Sequence, residues 1–265
     1  MNSILTIAIR AARAAGDIII RSMEQVDHLQ IDLKGTNDFV TDVDRRAERE
    51  IIRILRRAYP SHAILGEESG ASGNNESVWV IDPLDGTTNF LHGFPQFSVS
   101  IALRHAGRLE QAVVYDPLHQ ELFTASRGEG AHLNDRRIRV SSCRGLEGAL
   151  LGTGFPFRLQ HYLDDYLNCF RALFARVADI RRPGSAALDL AYVAAGRLDG
   201  FWEMGLAEWD MAAGALLIME SGGLVGDFTG GENFWVSGNI VGGNPKVFKA
   251  ILQTIQPHLP DALKK

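Results

Sequence analysis

The chain has 265 residues, 46% of them hydrophobic, enough to bury one large core or two fused ones. Lysine and arginine total 27 against 32 aspartates and glutamates, and the resulting net charge of −5 is too mild for a protein built chiefly to bind nucleic acid. Cys143 and Cys169 are the only cysteines, which excludes a disulfide framework or a cysteine-based zinc site and leaves free thiols as the expectation.

Residues 4–22 predict an amphipathic helix, with Ile4, Ala8, Ala11, Ala15, Ile18 and Ile19 on one stripe. Arg10 and Arg13 interrupt this segment, so it does not read as a secretory leader. No apolar run approaches the roughly 18 residues of a membrane helix, and a cytoplasmic location is expected. The polar stretch 32–38, containing Gly35, reads as a turn or mobile loop. A second helix is predicted from near Thr41 to before Pro60. Val43, Ala47, Ile51, Ile54, Leu55 and Ala58 form its buried face, and Arg45, Arg46, Arg49, Arg53, Arg56 and Arg57 lie mostly off it.

Short apolar runs at 63–65, 78–81, 97–103, 112–115 and 121–125 predict strands, and Asn134-Asp135 predicts a hairpin turn. Beyond about residue 142 the pattern turns to alternating helices and strands, with helices at 162–177, 185–195 and 210–220 and a last one opening at Pro245. Strand-rich material followed by helix–strand alternation predicts a layered α/β protein of two fused subdomains, 1–142 and 143–265.

The chemistry concentrates at Val78–Phe90, VWVIDPLDGTTNF. A strand is predicted to end at Ile81, with Pro83 blocking further ladder pairing. Asp82 and Asp85 then flank a turn and can point at one spot, where like charges repel unless a cation lies between them. An all-oxygen set, to which the Leu84 carbonyl could add, suits Mg²⁺. Gly86-Thr87-Thr88-Asn89 reads as the start of a short helix whose free N–H groups can hold an anion. An Asx-turn pair around Pro83 explains the same residues without chemistry. Glu67-Glu68 after the 63–65 strand could be a solvated loop, Asp210 a helix N-cap, and Thr41 with Asp44 a capping box. Four acidic segments at strand ends or helix starts are together harder to assign to structure alone.

Other phosphatase chemistries fit less well. A Cys-x5-Arg loop would need arginine where Ala149 and Ala175 stand, and an Asp-x-Asp-x-Thr nucleophile would need threonine or valine at Arg46. Arg104-His105 is followed by Ala106 rather than the glycine of an Arg-His-Gly motif, and the eight histidines show no zinc-ligand spacing.

With GEES (66–69), DPLDGTTN (82–89), GSAALDLAYVAAGRLDGFWE (184–203) and WDMAAG (209–214), the sequence resembles the inositol monophosphatase family, and within it the bacterial SuhB type, over almost the whole chain. The resemblance implies an α-β-α-β-α layered sandwich of the inositol monophosphatase/fructose-bisphosphatase type, commonly a homodimer. It implies Mg²⁺-dependent, Li⁺-sensitive hydrolysis of a small phosphorylated polyol such as myo-inositol 1-phosphate, by cation-activated water, with two to three Mg²⁺ per site. Glu67, Asp82 and the Leu84 carbonyl would hold the first ion and Asp82, Asp85 and Asp210 the second. A third would lie near Glu67 and the loop around Asp38, which is one residue shorter between Lys34 and Asp38 than in animal members. Thr87 and Asp44 would orient the water, with Glu67 helping through the metal. Gly86 and Thr87 N–H groups would grip the phosphate, and Asp85, Gly184, Ala186, Glu203 and Asp210 would line the substrate side.

The SuhB-type resemblance also implies a role in ribosomal-RNA antitermination with RNA polymerase and NusA. The arginines between Arg45 and Arg57, with Arg181-Arg182, could serve that role or be a solvated face. Bisphosphate or nucleotide substrates of the wider superfamily remain open, and Phe155, Phe157 and Arg158 could supply a stacking surface for a nucleotide or form core and rim.

Overall fold

The computed structural model describes residues 3–23, 31–35 and 38–264, with the side chains of 31–40 outside the description. Eight helices are used below: α1 Ser3–Met23, α2 Asp42–Ala58, α3 Thr87–Leu91, α4 Leu163–Phe174, α5 Ala186–Ala194, α6 Glu208–Glu220, α7 Phe234–Ser237 and α8 Pro245–Ile255. The strands are β1 Ile31–Gly35, β2 Asp38–Thr41, β3 Ala63–Gly66, β4 Gly70–Ser72, β5 Ser77–Asp85, β6 Ser98–His105, β7 Arg108–Asp116 and β8 Glu121–Ser126. They continue as β9 Gly130–Leu133, β10 Arg136–Arg137, β11 Leu150–Thr153, β12 Asp179–Arg181, β13 Gly200–Glu203, β14 Leu224–Gly226 and β15 Ile240–Gly243.

Two sheets and three helical layers alternate, as the resemblance implied. The larger sheet has the order β10-β9-β8-β7-β6-β5-β3-β4 and is antiparallel except for β3 beside β5. The smaller has the order β12-β11-β13-β15-β14, with β11 parallel to both its neighbours. The period-two alternation of the large sheet feeds two cores. Trp79, Ile81, Val99, Ile101 and Val113 face α1 and α2, whereas Val80, Ala102, Ala112, Val114 and Phe123 face α5 and α6. Helices α5 and α6 lie between the sheets and are buried nearly all round, which explains their mostly apolar composition. A Cβ at Gly214 of α6 would overlap the side chain of Leu190 of α5, so this glycine permits the close approach of the two helices. Helices α4 and α8 cover the far face of the smaller sheet around Trp202, Phe228 and Val241.

Most predicted elements appear within a few residues of their expected bounds, and three differ instructively. Residues 32–35 and 38 lie in β1 and β2, which pair antiparallel, rather than in a loop. Backbone pairing can hold a strand whose residues carry no apolar pattern. Strand β5 does not stop at Ile81. It stays paired to β6 through Asp85, with a bulge that absorbs Pro83 and Leu84 between the pairs Asp82–Ser100 and Asp85–Ser98. Helix α6 begins at Glu208 with Ala207 as its N-cap, so Asp210 is not the cap. It sits at the third position and accepts the Ala207 N–H at 2.7 Å. On α2 the capping box between Thr41 and Asp44 is formed as expected, although Ala58 is exposed rather than buried. Asn134 and Asp135 both have positive φ (46° and 66°) in the β9–β10 turn. Cys143 and Cys169 are free thiols, and burial pushes the Cys169 thiol up to about 12.

Candidate active site

A cavity of about 540 Å³ opens where β5, α3, α5, β13 and α6 converge. The β5 bulge creates its acidic floor. In a regular strand residues three apart point to opposite faces, and the extra residues change that phase so that Asp82 and Asp85 both line the cavity. Oxygens of Asp82, Asp85 and Asp210 lie within 4.8 Å of one another. Glu67, just past β3, joins them on the cavity wall.

Each carboxylate is held by its own partners. Asp82 Oδ1 accepts the Leu84 N–H at 3.0 Å. Asp85 Oδ2 accepts the Ser185 hydroxyl at 2.6 Å and the Ala187 N–H at 2.8 Å, at the N-terminal end of α5. Asp210 Oδ2 accepts from Arg158 Nη1 at 3.1 Å. Burial is the main reason these acids are held protonated beyond their usual range, and mutual repulsion adds to it. Asp85 is pushed up to about 7, with Asp210 the chief repelling neighbour. Asp210 rises to about 6, moderated by Arg158. Asp82 is raised well above the ordinary value by burial and by Glu67, Asp85 and Asp210. A cluster of hard oxygens that resists carrying its full charge alone is a fit for divalent cations such as Mg²⁺.

Gly86, with φ +95°, turns the chain from β5 into α3, and a Cβ there would sit 2.8 Å from the Gln96 carbonyl oxygen. Thr87 opens α3 on the cavity wall. Its hydroxyl lies 2.9 Å from Asp44 Oδ1 and 3.0 Å from the Leu84 carbonyl oxygen. Asp44 is fully buried and does not reach the cavity, and burial raises its pKa despite hydrogen bonds from Thr41 and Thr87.

The structure thus brings Glu67, Asp82, Leu84, Asp85, Gly86, Thr87, Gly184, Ala186, Glu203 and Asp210 onto one cavity, with Asp44 one hydrogen bond behind it. Asp38, whose loop the resemblance places near a third ion, and Lys34 lie outside the described side chains. The stacking candidates Phe155, Phe157 and Arg158 also line the cavity, with the Arg158 guanidinium 5.0 Å from the Phe157 ring. The sequence reading missed Ser185 and Asp189 as cavity residues. Arg182, expected on an outer binding face, instead reaches the cavity and lies 5.3 Å from the Phe155 ring. Helical spacing from Ala186 would have pointed to Asp189, whereas nothing local marks Arg182.

Known proteins share this fold. A family profile described as Inositol monophosphatase family matches residues 1–259. The chain belongs to the inositol monophosphatase family. It is 62% identical to the Nus factor SuhB of Pseudomonas aeruginosa over the full length of both chains. The crystal structure of the extragenic suppressor protein suhB from Bartonella henselae superposes with a TM-score of 0.95 at 45% identity, covering 97% of this chain and 100% of that one. The inositol monophosphatase from Anabaena gives a TM-score of 0.87 at 38% identity, with 97% of each chain covered. Among the described residues no helix is long and apolar enough to cross a membrane.

Proposed function

We propose that the chain is a Mg²⁺-dependent, Li⁺-sensitive phosphomonoesterase that converts inositol monophosphates to inositol and phosphate. The observation that carries this reading is the convergence of buried Asp82, Asp85 and Asp210 oxygens within 4.8 Å, beside the Gly86–Thr87 turn, in a cavity large enough for a phosphorylated polyol. Glu67, Asp82 and the Leu84 carbonyl would hold one cation, and Asp82, Asp85 and Asp210 a second. When bound, the cations neutralise the phosphate, lower the pKa of water and stabilise the departing alkoxide.

The protein's own groups do the positioning. The Gly86 and Thr87 N–H groups receive phosphate oxygens at the start of α3. The Thr87 hydroxyl donates to Asp44, which leaves its oxygen free to accept from the attacking water and fixes that water's direction. Glu203, buried and pushed up to about 8 chiefly by desolvation, meets substrate hydroxyls, with Gly184 and Ala186 shaping the wall beside it. In this reading residues 1–142 supply most cation ligands, 143–265 complete the substrate side, and the working form is a cytoplasmic homodimer. Phosphate release across a panel of monoesters, with and without Mg²⁺ and Li⁺, tests the reaction. Asp85→Asn should lower turnover by about 10²–10³-fold while keeping the fold. A wild-type rate in that variant, or silence of the native protein on the whole panel, would refute the reading.

A second role is favoured by the name Nus factor on a relative at 62% identity. We propose that this chain also joins RNA polymerase and NusA during ribosomal-RNA synthesis. The six arginines of α2 are exposed, although Arg46 and Arg49 approach Asp42 within 4.0 Å and Arg53 pairs with Glu50. Arg181 pairs with Asp179. Capture of RNA polymerase or NusA by the Asp85→Asn variant would separate binding from catalysis, and no capture by either form would remove this role.

A further inference from the structure

Asp189 is an acidic residue of the cavity wall that the reaction above leaves without a task. It lies on α5 three residues after Ala186, so both project from the same helical face, and both line the cavity. It is 1% exposed, and its Oδ1 is buried with no hydrogen-bond partner. Buried polar atoms in folded proteins nearly always have a partner, so an unpaired oxygen on a residue that lines a cavity calls for one from outside the chain.

Its surroundings are built for two acids. Burial first, then the neighbouring Glu203, raises the Asp189 carboxyl well above its ordinary range. Gly154, the residue after β11, leaves the space that Glu203 occupies. A Cβ at Gly154 would collide with the Glu203 carboxylate, whereas one at Gly152 would press on Leu198 and Phe201 and only touch Asp189 Cβ, at 3.8 Å. Arg182 is the cation that offsets the charge of both acids from the cavity rim.

We propose that Asp189 is a specificity-determining residue that hydrogen-bonds the ring hydroxyls of a cyclic polyol beside Glu203. The proposal deepens the phosphomonoesterase reading and rests on it. Two carboxyl groups on one wall suit a pair of neighbouring hydroxyls. A carboxylate oxygen accepts from each, and a carboxyl that keeps its proton also donates. An ester without those hydroxyls leaves Asp189 desolvated and unpaired, which penalises it in the way that polar sites reject analogues lacking the matching group.

The test compares kcat/KM for myo-inositol 1-phosphate with that for p-nitrophenyl phosphate in the native protein, Asp189→Ala and Asp189→Asn. The ratio should fall at least about tenfold in Asp189→Ala, mainly through KM. It should fall at least about threefold in Asp189→Asn, whose amide replaces one accepting oxygen with a donor. An unchanged ratio, or equal losses on both esters, overturns the proposal. If Asp189→Ala does not fold, the threefold criterion in Asp189→Asn decides. A native protein that turns over neither ester refutes the phosphatase reading instead, and calorimetric titration with free myo-inositol then decides on Asp189. Binding at least threefold weaker in Asp189→Asn supports the assignment, and equal or absent binding overturns it.

Discussion

Thr87 donates its hydroxyl to Asp44 across 2.9 Å, joining the first residue of α3 to the buried first turn of α2. Asp44 is itself fixed by the Thr41 N–H at 2.9 Å and the Thr41 hydroxyl, so the helix cap and the Thr87 hydroxyl share one carboxylate. If the pair works as a unit, Thr87→Ala and Asp44→Asn should each cut kcat by about 10²–10⁴-fold, and the double variant should be little worse than either. Thr87→Ser should recover most of the rate. Steady-state kinetics on the four proteins check this, and fully multiplicative losses would break the link.

The acid cluster predicts how stability responds to pH. Asp85 and Asp210 titrate near 7 and 6 in the fold, chiefly because of burial, and above the ordinary aspartate range of an unfolded chain. Between about pH 4 and 7 the folded state therefore binds more protons than the unfolded one, and stability falls as pH rises through that window. Chelator-treated protein should melt at a lower temperature at pH 8 than at pH 5.5. Added Mg²⁺ should raise the melting temperature more at pH 8 than at pH 5.5. Differential scanning calorimetry at the two pH values measures both.

Gly86→Ala should damage stability and activity together. The backbone there has φ +95°, and the added methyl would meet the Gln96 carbonyl oxygen. A loss of about 1–3 kcal/mol in urea unfolding is expected, with a rise in KM as the α3 turn moves off the phosphate position.

Gly214→Ala probes the middle layer. The new methyl overlaps Leu190, and overpacking of this kind costs about 1–3 kcal/mol. Adding Leu190→Ala should make the pair less damaging than the sum of the two single changes, because one substitution opens the space the other fills. Denaturant melts of the four proteins provide the cycle.

Much of this was legible before any coordinates. Periodicity located α1 and α2, and Thr41 with Asp44 announced the cap that α2 uses. The residues around DPLDGTTN point to the acid cluster that the cavity holds, because acids, proline and glycine stand where a strand gives way to a helix. Pro83 misled in one respect. It lacks an N–H, which argues for the end of a strand, yet the bulge carries it while pairing resumes at Asp85. Asp210 was read as a cap because local sequence favours that use of an aspartate, whereas it binds Ala207 from inside the helix and faces the cavity. The approach of Arg182 to residues 155 and 203 depends on how β12 and β13 flank β11, a long-range pairing that no window of sequence contains.

The helix pair at the centre of the sandwich has an evolutionary consequence. Helix α5 presents Ala187 and Ser185 to Asp85, helix α6 carries Asp210, and the two touch where Gly214 meets Leu190. Packing and the acid cluster are therefore written into the same two segments. A drift in side-chain volume far from the solvent opening would alter the spacing of the carboxylates without replacing any one of them.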